Sequence, residues 1–123
     1  MALLAFPATA QIQRSFINLG FEEPTLVPAG CFIMTTDARV PGWSTTHPSG
    51  LTNGGCSSPP TGETGPLIEL WSSGFLGVLS RAGSNFAELS AHQDSRIYQS
   101  ICMVTGESVT WRLSHRGRDS DTV

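Results

Sequence analysis

Three observations predict an all-β fold, a β-sandwich of short strands. Only 14% of the 123 residues are charged, and glycine (13) and proline (8) punctuate the chain, a balance that suits many turns better than long helices. In "ESVTWRLSH", Val109, Trp111 and Leu113 alternate with Ser108, Thr110, Arg112 and Ser114, the period-two pattern of a half-buried strand. "PLIELW" repeats the pattern, with Ile68 and Leu70 on one face and Leu67, Glu69 and Trp71 on the other. A chain of this length supports one domain around one modest core.

The elements follow in order. "MALLAFPATAQ" sets an apolar run against Ala8-Thr9-Ala10, the small-x-small form of a signal-peptidase site, so residues 1–10 read as the remnant of a signal peptide that lacks its basic start; the competing reading is a short buried strand. The domain then occupies residues 11–123. "SFINLGFEEP" reads as a short strand entering a Gly turn and ending at Pro24, and "CFIMTT" as a second strand. Val40-Pro41-Gly42-Trp43 marks a bend before an extended segment, and about residues 45 to 66, rich in Ser, Thr, Gly, Pro and Asn, form a surface loop. "PLIELW" is followed by "GFLGVLS", read as its continuation, interrupted by Gly74 and Gly77.

"NFAELSAHQDSRIYQ" is ambiguous by itself. Asn85 and Glu88 have the form of a capping box before good helix formers, while the same residues also alternate as a strand would. The clean pattern of 107–115 needs a partner, and "SRIYQSICMV" supplies one across the turn Thr105-Gly106-Glu107. Thr122 and Val123 read as the start of a further strand, so the sandwich is expected to need strands beyond the C-terminus.

Charge excludes one class of function. A net charge of −3 with seven basic residues leaves no electrostatic footprint for nucleic acid, and Arg112, Arg116 and Arg118 sit beside Asp119 and Asp121. No stretch approaches the roughly 18 apolar residues of a membrane span. Cys31, Cys56 and Cys102 allow three pairings; a Cys31–Cys56 bridge would close a loop of about 25 residues and stiffen it by a few kcal/mol, leaving Cys102 as a free buried thiol. No C-x-x-C is present, and His47, His92 and His115 are too scattered in sequence to suggest zinc.

Six segments in order, "INLGFEEP", "VPGWSTT", "IELW", "NFAELSAHQ", "IYQSI" and "TWRLSHRGR", resemble a domain of secreted and surface-anchored bacterial proteins, including large adhesin-like proteins. Its usual pattern runs NGGFE, VPGWTTT, IEIW, FAELNA, LYQ and HRGR. The opening is also similar to that of galactose-binding-like jelly rolls, the fold of many carbohydrate-binding modules. The resemblance covers about residues 16 to 121 and implies a jelly-roll β-sandwich. It implies a strand over Asn85–Ala91, a turn over His92–Ser95 and a strand over Arg96–Met103. It also implies a structural calcium held by Glu22, with Asn18 at the family's Asn; calcium takes six to eight oxygens. Here Leu19 replaces the usual first Gly, and Asp121 is a poor substitute for the family's second acid. The competing reading of Glu22 is a solvated side chain beside a glycine turn.

Sugar recognition needs an aromatic platform and polar side chains beside it. Trp71 beside Glu69 at a strand end is the first candidate; Trp43 and Tyr98 are others, and Trp111 is expected in the core. Arg116 and Arg118 could clamp an acidic sugar, or His115 could bond Glu88 or Glu69 inside the sandwich. A hydrolase would draw an acid/base pair from Glu69, Glu88, Asp94 and His115 and need two carboxyls facing one cleft; no G-x-S-x-G, H-E-x-x-H or P-loop is present. The sequence therefore predicts a non-catalytic extracellular binding or adhesion module for a glycan, part of a larger surface protein, with a structural spacer or capping domain as the alternative.

Overall fold

The computed structural model describes residues 12–25, 27–49, 54–56 and 64–117. The leader at 1–10, half of the 45–66 loop, Arg118 and Asp121 lie outside them. Within the described residues the chain is mostly β, with two antiparallel sheets and no α-helix.

The first sheet is built around β4 (Leu67–Ser72), every residue of which is buried. It lies between β1 (Phe32–Thr36) and β5 (Asn85–Glu88), and β3 (Gly54–Gly55) extends the sheet beyond β1. The register follows from the alternation. Ile33, Leu70 and Ala87 line up across three strands on one face, and Phe32, Trp71 and Phe86 on the other. Val40, Ile68 and Leu70 form the core of the first face, with Phe21, Val27, Ile33, Trp43, Ala87 and Ile97 packed against it. Ile97 comes from the second sheet, β2 (Ser44–Thr45) with β6 (Ile97–Tyr98). On the far face the Trp71 ring meets Phe75 edge-on at 4.7 Å and Phe86 at 5.8 Å.

The ambiguous segment resolves as a strand over Asn85–Glu88, because β4 offers it a complete antiparallel partner and a buried face. Cys31 and Cys56 form a disulfide, Cα–Cα 5.7 Å, joining the start of β1 to the end of β3.

Several expectations need correction. "SFINLGFEEP" is not a strand: Asn18 and Phe21 have φ of 49° and 56°, and Asn18 folds the chain into a turn by accepting the Glu23 N–H at 3.0 Å. "GFLGVLS" does not prolong β4, because left-handed Gly74 leads into a 3-10 turn over Phe75–Gly77. The strand expected over Arg96–Met103 is reduced to Ile97–Tyr98, and it pairs with β2. Residues 108–115 form no strand, and Val109, Trp111 and Leu113 are 41%, 70% and 62% exposed.

The reason lies in the intended partner. Its backbone is already engaged by the N-terminal segment: the Cys102 N–H donates to the Gln13 carbonyl at 2.8 Å, Arg14 reaches the Cys102 carbonyl, and Arg14 pairs with Glu107 at 2.6 Å. Gln99 extends this seam by exchanging hydrogen bonds with the backbone of Ile17. Cys102 is accordingly exposed, not a core hydrophobe.

Candidate functional site

The turn over residues 17–25 and the bend at 39–42 build a surface feature that gathers several polar side chains. Asn18 is its organiser. Its amide donates to the carbonyls of Glu23 at 2.6 Å and Pro41 at 3.3 Å, while its Oδ1 accepts the Glu23 N–H. Trp43 supports the turn from below: its indole N–H donates to the Asn18 carbonyl at 2.8 Å, and its ring stacks on Phe21 at 4.6 Å and 22°. Gly42, at φ 81°, brings the bend so close that a Cβ there would strike the Ile17 side chain.

Glu22 ties this turn to the loop before β5. Its Oε1 accepts the backbone N–H groups of Ser84 at 2.7 Å and Asn85 at 3.0 Å, and Asn85 returns a bond to the Phe21 carbonyl. The solvated-Glu reading therefore gives way to a structural one, since charge-assisted bonds to two N–H groups fix the loop. Two adjoining shallow hollows of about 410 Å³ each share Glu23 and Pro41. Thr25 and Arg39 line one; Ile17, Asn18, Gly20 and Glu22 line the other. A carboxylate, a guanidinium and an amide around an open groove can hydrogen-bond a polyhydroxylated ligand.

The residues first expected to meet a sugar are not gathered here. Trp71 is 3% exposed, and its indole N–H donates to Glu69 Oε1 at 2.6 Å, so both side chains belong to the interior. Trp43 is half-buried beneath the turn, positioning the groove. Tyr98 remains on the surface at 45%. Trp111, expected in the core, is exposed, and so are His115 and Arg116. His115 makes no bond to Glu69 or Glu88, because the strand that was to carry it inward does not form.

Glu69 and Glu88 do lie opposite each other in register across β4 and β5. They share one sheet face, where Glu69 is buried beside Trp71 and Glu88 accepts the Ser90 N–H. Neither lines the groove.

Sequence reasoning missed Glu23 and Arg39, which flank prolines in a bend and carry no motif. It also missed that the fold brings His47 and His92 together, ring centroids 6.2 Å apart; 44 intervening residues hide that proximity from any spacing rule. Comparison with family models, curated proteins and solved structures finds no match.

Proposed function

We propose that the chain is a non-catalytic extracellular binding or adhesion module that recognises carbohydrate, and that its two sheets belong to a jelly-roll sandwich of the galactose-binding-like kind. The observation that carries the reading is the open groove around Pro41, whose Glu23 and Arg39 offer acceptors and donors to ligand hydroxyls while Asn18 holds its turn in shape. Exposed Tyr98, which does not line the groove, supplies a separate aromatic face of the kind sugars stack on. The Cys31–Cys56 disulfide suits an oxidising compartment, consistent with a secreted or surface location. Modest affinity at such a shallow groove would be strengthened by repetition of the module in a parent surface protein.

The reading includes calcium at Glu22. Oε1 is spent on Ser84 and Asn85, which leaves Oε2 for the cation, and Asn18 contributes by shaping the turn. Calcium would stiffen the groove's edge, and a rise in Tm on adding calcium to the chelator-treated chain is the expected result.

The test is a glycan array probed with the folded chain, with and without calcium. Binding to a defined sugar class, lost in Arg39→Ala or Tyr98→Ala at unchanged Tm, supports the proposal. A folded chain that binds nothing in either condition moves the conclusion to a structural spacer, a reading favoured by the exposed Val109, Trp111 and Leu113, which suit burial against a neighbouring unit.

A further inference from the structure

His47 is the least satisfied group among the described residues. It is 2% exposed, and its backbone N–H donates to Thr45 Oγ1 at 3.1 Å. Its ring is anchored on one side only: Nδ1 lies 3.0 Å from the Pro48 carbonyl oxygen and 3.4 Å from the Leu67 amide nitrogen. Nε2 is fully buried and has no hydrogen-bond partner. With the proton on Nδ1, a bare lone pair is buried; with the proton on Nε2, a buried N–H lacks an acceptor. Buried polar atoms are almost always partnered, so this nitrogen calls for a ligand. Without its proton Nδ1 accepts the Leu67 N–H; with it, Nδ1 donates over the shorter contact to the Pro48 carbonyl, and this Nδ1–H tautomer is the metal-competent one. That is the arrangement in which a backbone carbonyl fixes the ring and Nε2 offers its lone pair to a metal.

A second imidazole stands nearby. His92 lies in the exposed turn after β5, with its ring centroid 6.2 Å from that of His47 and the planes at 49°. With metal–nitrogen bonds of about 2.0–2.1 Å, two imidazoles on one ion have centroids about 5.2 Å apart at the tetrahedral angle and about 6.4 Å apart when opposed. The observed separation falls in that interval, and a swing of about 1 Å by His92 reaches the tetrahedral value.

The geometry points to a two-histidine site for Zn²⁺, with His47 Nε2 and His92 as ligands and water completing the shell. Imidazole donors select zinc over calcium or magnesium, which prefer oxygen. Among the described residues no group of three or more His, Cys, Asp and Glu side chains is placed to hold a metal, so the proposal rests on these two histidines alone. The ion would clamp the segment leaving β2 to the turn after β5. The site shares no residue with the groove around Pro41, so it stands or falls independently of glycan binding.

The experiment titrates Zn²⁺ into the full chain by calorimetry, with the disulfide intact and Cys102→Ser removing the exposed competing thiol. Long-range 15N–1H NMR follows the imidazole nitrogens. One Zn²⁺ per chain is expected, weakened roughly tenfold or more in His92→Ala and unchanged in His115→Ala, with the His47 Nε2 resonance shifted and Nδ1 still protonated. His92 is exposed, so its substitution should leave the metal-free Tm unchanged. Absence of binding, unchanged affinity in His92→Ala, or a zinc-induced shift at His115 in place of His47 would each overturn the proposal.

Discussion

Glu22 shows how one side chain can hold two segments 62 residues apart in sequence. Truncation to Ala leaves the Ser84 and Asn85 N–H groups without their acceptor, at a cost of about 1–3 kcal/mol by urea denaturation. Glu22→Gln keeps an Oε1 acceptor and should recover most of that stability. The contrast separates the hydrogen-bonding role from calcium: if calcium also stabilises through this residue, Glu22→Gln abolishes the calcium-dependent rise in Tm. Trp71 follows a different logic. It is enclosed by Phe75, Phe86 and the Glu69 carboxylate, so Trp71→Ala should cost about 3–5 kcal/mol through cavity formation. Any glycan affinity that survives, measured per folded molecule, should be unaltered. A selective loss of binding at unchanged stability would return Trp71 to the ligand site.

Among the elements, β1 and β4 were legible because their β-type residues suit a buried, paired strand, whereas β5 was ambiguous in sequence and is settled by pairing with β4, ending at Glu88 short of the expected Ala91. The disulfide acts where pairing is weakest, since β3 is two glycines and offers no side chain to pack. Reducing it should lower stability by about 2–4 kcal/mol, read as a fall in Tm under reductant, with β3 releasing from β1 in hydrogen exchange. Illegible elements failed for identifiable reasons. The turn at 17–25 depends on Asn18 bonding backbone groups at Glu23 and Pro41, a three-dimensional arrangement that no local periodicity reports. The 108–115 pattern is a sound strand signature, yet alternation specifies only a willingness to pair; the Cys102 backbone it required is held by Gln13 and Arg14. The groove was illegible for a related reason, because Glu23 and Arg39 acquire meaning only once Pro24 and Pro41 are brought side by side.

At the scale of the molecule, Val40, Ile68 and Leu70 are enclosed while the last described residues display apolar side chains to solvent. Val109, Trp111 and Leu113 keep the spacing of one strand face, and Met103 and Val104 add to the exposed apolar surface. Among the described residues, neither strand of the small β2–β6 sheet has a second strand partner. An exposed amphipathic segment with the alternation of a strand is the feature from which strand addition and self-association arise. The isolated chain should therefore associate with rising concentration, visible by sedimentation velocity, and Trp111→Ser should suppress this. Because Trp111 is 70% exposed, the same substitution should change unfolding free energy by no more than about 0.5 kcal/mol. Tryptophan fluorescence supplies the check on this inside-out arrangement. In dilute solution acrylamide should quench the Trp111 component strongly and the Trp71 component weakly; at associating concentrations Trp111 should become protected while Trp71 does not change. A Trp111→Ser chain that associates as before, or that unfolds at markedly lower denaturant, would mean that this segment packs against its own domain, as its alternation first suggested.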